Sequence, residues 1–255
     1  MLLRRRPTFA AELLLLSAWA ALLALLVAEA LARAVPSATP LWWCTVGAMP
    51  GMASGSGAAG GQSVPAAIAA GMPMWALMSS AMMLPAALPA VRHVAVNSLC
   101  WRRGRAIAEF LAVYLAIWVA YGVLALGALA WTGRVRSAIV LAFALAVAAA
   151  WQLTDHKLRA LRACHRSSPL PPRGWRASAG VARFGLRNGG ACLGSCWAIM
   201  LVGALATSGR LLWMLALTAL VCAEKLSNRP LRATRRTAAL LAGGALGAGL
   251  LAVLA

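Results

Sequence analysis

Two rows of sulfur side chains recur at one spacing. Met74, Met78 and Met82 follow one another at four-residue intervals in one apolar stretch, and Cys192, Cys196 and Met200 repeat that interval in another. On a helix this interval stacks side chains on a single face, so each row forms a ladder of soft ligands. Thioethers and thiolates suit Cu(I), with zinc a thiolate-compatible second choice. Met83 adjoins the first row, Met49, Met52 and Met72 precede it, and Cys164 and Cys222 stand apart from both. The candidate metal ligands are therefore Cys192, Cys196, Met200, Met78, Met82, Cys164 and Cys222. Met also serves as a flexible apolar filler and Cys as a small hydrophobe, so spacing alone leaves packing open as the role of either row.

Other chemistry is sparse. The five acidic residues, Glu12, Glu29, Glu109, Asp155 and Glu224, fall at or near the ends of apolar runs, which argues against a relay of mid-membrane carboxylates. There is no phosphate-binding loop, no His-Glu-x-x-His helix and no Gly-x-Ser-x-Gly elbow, so no enzymatic activity is expected. A Cys-dependent intramembrane enzyme built on Cys192 or Cys196 is the least favoured alternative. His93, His156 and His165 read as headgroup contacts, and Cys44, alone on the outer side, has no partner there for a disulfide.

The elements that carry these residues are membrane spans. Of 255 residues 62% are apolar and 11% charged, against roughly 25% charged in a soluble domain. Mean hydropathy is +0.80. Apolar runs near Phe9–Leu31, Ala66–Pro89, Ile107–Trp131, Ser137–Leu153, Gly190–Thr207, Leu211–Ala223 and Thr237–Leu254 predict an all-α transmembrane bundle of about seven spans. With the N-terminus in the cytoplasm, twenty of the 24 basic residues fall on the inner side. The net charge of +19 thus encodes orientation and suits anionic headgroups, and no nucleic-acid partner is expected. The expected partner is the lipid bilayer of a bacterial inner membrane, with a protein partner or homo-oligomer left open.

Arg4-Arg5-Arg6, the run after them and Ala30-Leu31-Ala32 also have the form of a cleaved signal peptide. The run is long for that role and is read as the first span. Trp42, Trp43, Trp75, Trp131 and Trp213 fall near the outer interface and Trp101, Trp151 and Trp175 near the inner one, as anchors. Residues 33–65 read as a flexible outer loop, 154–189 as a basic cytoplasmic segment, and 1–255 as one integral membrane domain. Pro85 and Pro89 predict a kink in the second span, and Gly243 and Gly247 a face for close helix packing.

Trp75-Ala76-Leu77-Met78-Ser79-Ser80-Ala81-Met82-Met83-Leu84-Pro85 resembles a Trp-x-x-Met-x-x-Ala-Met-Met-x-Pro signature. Gln152-Leu153-Thr154 with Lys157, the stretch Gly185-Leu186-Arg187 through Cys192 and Cys196 to Met200, and Glu224-Lys225 extend the likeness over about 71–225. The pattern is similar to a bacterial family described as predicted metal-binding integral membrane proteins. The resemblance implies metal binding without naming the metal. Ser195 stands where the family shows the first thiol of a Cys-Cys pair, and Ala160 where it often shows another; Cys192, Cys196 and Cys164 remain as three thiols.

The expected function is to bind or move a soft ion, foremost Cu(I), without catalysis. The alternative from another class is a metal-free assembly or partner-binding protein. Counting depth at about 1.5 Å per residue puts Cys196 level with Met82 and Met200 level with Met78. If the two helices are neighbours, their sulfurs form a column with Cys192 at its inner mouth. Glu224, at the inner end of its span, is expected to pair with a basic residue of a neighbouring segment.

Overall fold

The computed structural model describes residues 63–131, 138–171, 173–206, 210–227 and 229–254, with a few positions between 16 and 24. Seven helices and no strand are found among these residues: α1 (Val64–Val96), α2 (Arg103–Trp131), α3 (Ala138–Gln152), α4 (Asp155–Cys164), α5 (Gly174–Leu205), α6 (Arg210–Leu226) and α7 (Pro230–Leu254). The all-α class stands, but the number of spans does not. Four of these helices, α1, α2, α5 and α7, are long and apolar enough to cross a membrane, and α3 with α4 adds a fifth if that bent pair is one span. Among the described residues, which hold six of the seven expected runs, the count falls short because α3 has 15 residues and α6 has 17, whereas a crossing needs about 20. Most of the first apolar run, and the outer loop up to residue 62, lie outside the described residues.

Local sequence explains the breaks. Pro65 opens α1, where its missing N–H is no loss, and the Asn97 backbone and side-chain amides close the helix on the His93 carbonyl. Pro85 and Pro89 do not end α1, which continues through them to Val96. Thr154 caps α4 by accepting from the Lys157 backbone N–H, so the chain turns by 72° between α3 and α4. The stretch 154–189, read as a basic cytoplasmic segment, is largely helical. After Pro169, Pro171 and Pro172 no proline remains up to Leu205, and α5 forms one helix of 32 residues from Gly174.

The helices pack as α1 on α2, α2 on α5, α3 on α7 and α5, α4 on α5, and α6 on α1, α5 and α7. Two contacts fix the frame around the sulfur rows. Trp75 donates its indole N–H to the Trp118 carbonyl at 2.8 Å, and Gly122 faces that indole so closely that a Cβ there would overlap it. Trp75 is thus an interior tie of α1 to α2, not the interfacial anchor its position suggested; Trp101 and Trp175 are exposed. Gly185 and Gly189, one turn apart on α5, let α2 come close at Phe110, Val113 and Ile117. Among the described residues, nothing lies within 4 Å of where a Cβ would stand at Gly243 or Gly247, and α7 meets α3 at Gly244 and Gly249.

Candidate functional site

Both sulfur rows face the interior. Met74, Met78 and Met82 on α1 and Cys192, Cys196 and Met200 on α5 belong to one buried cluster, so neither row is turned toward lipid. The sulfur contact found is displaced from the expected Met82–Cys196 pair by one residue on α1 and one turn on α5. Met83, not Met82, brings its Sδ to 4.0 Å from Cys192 Sγ, while Met78 lies beside Gly203, the turn after Met200.

Cys192 is the hub. Lys225 of α6 donates from Nζ to its Sγ at 2.8 Å, and the Tyr114 hydroxyl of α2 lies 3.0 Å from the same sulfur. Gly189 lets α2 pass close beside this contact, since a Cβ there would overlap the Ile117 side chain. Cys196 is one turn further along α5, with its Sγ 3.2 Å from the Ser195 hydroxyl, which also donates to the Cys192 carbonyl at 2.9 Å. The serine that replaces a family thiol is therefore a polar neighbour of the remaining one. Cys164, at the end of α4, and Cys222 of α6 are both half-buried and within electrostatic reach of Lys225 and Cys196.

A second buried group backs the first. Lys157 of α4 donates from Nζ to Glu224 Oε2 at 2.7 Å and to the Ser195 carbonyl at 2.6 Å. Exposure is 0% for Lys157 and 1% for Glu224, so this is an enclosed ion pair. Glu224 does pair across segments, as the sequence led us to expect, but inside the bundle and not at a hydrated helix end. Its Oε1 has no hydrogen-bond partner among the described residues. A cleft of about 490 Å³ between α6 and α7, lined by Arg229, Arg232 and Arg236, reaches Glu224 from the helix ends.

Residues 72–248, more than half of the chain, match a family described as PpoB2, copper chaperone. The chain belongs to the PpoB2 copper chaperone family. No curated protein and no solved structure matches it. PpoB2 membership supports a link to copper and reaches beyond the expected 71–225, but it comes under a different description from the metal-binding membrane family that the motifs resembled. Among the described residues, no three His, Cys, Asp or Glu side chains are grouped to hold an ion. A thioether is a soft ligand outside that set. Two sulfurs about 2.3 Å from one ion stand at most about 4.6 Å apart, so the 4.0 Å between Cys192 and Met83 fits a shared soft ion in this PpoB2 chain.

The sequence could not single out Met83, Tyr114 and Lys225. Met83 and Lys225 lay within quoted motifs, but Tyr114 carried no signal, being one aromatic in an apolar run.

Proposed function

We propose that this protein is a membrane-embedded Cu(I) chaperone that holds the ion between Cys192 and Met83. The observation that carries the reading is a buried thiol of α5 and a buried thioether of α1 standing 4.0 Å apart in a copper chaperone family member. The buried methionines of α1, Met74, Met78 and Met82, supply weak ligands leading away from that pair. Weak successive sites let an ion enter and leave, which passage along a row requires. Cys196, Cys164 and Cys222 are proposed as further thiol stations for the moving ion. The protein binds and passes copper without catalysing a reaction, and zinc is the lesser competitor.

Protein purified from copper-supplemented cells is expected to carry a stoichiometric amount of copper and little zinc by elemental analysis. Copper-free protein after such growth would end this reading and favour the metal-free assembly role.

The chain is proposed to lie in a bacterial inner membrane with its N-terminus inside. Four or five helices are suitable for crossing, and arginine-lined clefts at the ends of α5 and α6–α7 offer contacts for anionic headgroups. Reporter fusions after Arg105 and after Arg187 are expected to read cytoplasmic and one at Gly57 external. A cytoplasmic reading at Gly57 would reverse the orientation.

A further inference from the structure

The chain has only two lysines among its 24 basic residues, and both are buried beside Cys192 and Ser195; every other basic position is arginine. Their surroundings differ. Lys157 is fully enclosed and held by two acceptors, Glu224 and the Ser195 carbonyl. Lys225 is the penultimate residue of α6 and keeps 7% exposure, and its one recorded acceptor is Cys192 Sγ.

Charge count gives this difference a consequence. Lys157, Lys225 and Glu224 sum to one positive charge in an apolar interior, where an uncompensated charge costs several kcal/mol. A thiolate at Cys192 brings the sum to zero. Adding Cu(I) to that thiolate would restore the excess unless another cation left. Lys157 is locked in place, whereas Lys225 has a long flexible stem at a helix end and a small opening. A compact ammonium on such a stem also leaves more easily than a planar guanidinium fixed by several bonds.

We propose that the Lys225 ammonium is an internal stand-in for the copper ion, occupying Cys192 when no ion is bound and swinging outward when Cu(I) takes the sulfur. This rests on the copper reading above. The exchange is one cation for another at the same sulfur. The thiolate's electron pair passes from a hydrogen bond to a coordinate bond, Lys225 keeps its proton, and nothing is oxidised or reduced. The device keeps the empty site neutral and protects its sulfur, and it makes loading release a charged side chain toward the arginine-rich helix ends.

The test is covalent labelling of the full chain in detergent with a small amine-reactive reagent, read by peptide mass spectrometry, with and without Cu(I). Having only two lysines makes the readout simple. Labelling of Lys225 is expected to rise several-fold on Cu(I) loading while that of Lys157 does not change. In Cys192→Ser, Lys225 has no thiolate to hold it and is expected to label quickly whether or not Cu(I) is present. Wild-type protein that binds Cu(I) with Lys225 labelling unchanged overturns the exchange and leaves the chaperone reading intact. Wild-type protein that binds no Cu(I) overturns both.

Discussion

Lys157→Met is expected to destabilise the protein by about 3–5 kcal/mol, the largest stability effect of any single substitution in the site. The change strands the Glu224 carboxylate, whose Oε2 loses its 2.7 Å partner while Oε1 already has none. Glu224→Gln acts from the other side, leaving the enclosed Lys157 ammonium with neutral acceptors alone, the new amide oxygen and the Ser195 carbonyl. Removing both charges is a different matter, because a buried ion pair replaced by apolar groups of similar volume is often neutral. The double variant Lys157→Met/Glu224→Leu should therefore recover much of the stability that either single loses. Thermal unfolding followed by helical circular dichroism in detergent would show two low midpoints and a third close to wild type. Equal losses in all three, or none, would mean that the pair is not an isolated charge couple within the bundle.

The second large effect falls on copper. Cys192→Ser is expected to abolish measurable Cu(I) binding, because it removes the thiol on which Met83, Tyr114 and Lys225 converge. Met83→Leu keeps the apolar volume and deletes only the thioether, and should weaken binding by roughly 100-fold. Cys196→Ser should do less than either, since the Met83, Tyr114 and Lys225 contacts converge on Cys192, one turn away along α5. Competition against a chromophoric Cu(I) chelator ranks the three. A larger loss in Cys196→Ser than in Cys192→Ser would move the centre of the site one turn along α5.

The fold class was legible because apolar composition and run length leave a helical bundle as the economical answer. The number of spans was not, since short runs such as Leu211–Ala223 resemble crossing helices in composition while falling short in length. In the site, spacing found the buried faces of α1 and α5, because a four-residue period does define a face. It could not say which rung of one ladder meets which rung of the other. That register depends on Gly185 and Gly189 against α2 and on the Trp75–Trp118 tie, contacts between distant parts of the chain. Lys157 and Glu224 are 67 positions apart, and both resemble ordinary interfacial charges until the bend at Thr154 lays α4 against α5. Lys225 was hidden for a related reason. At the end of an apolar run a lysine reads as a headgroup anchor, whereas its side chain runs back into the bundle to Cys192.

The claim that one Cu(I) is shared by Cys192 and Met83 is tested most directly by X-ray absorption at the copper edge of the loaded protein. The account predicts a first shell of sulfur alone, with one sulfur fewer in Met83→Leu. A shell of nitrogen or oxygen, or a sulfur shell unchanged in Met83→Leu, would contradict it.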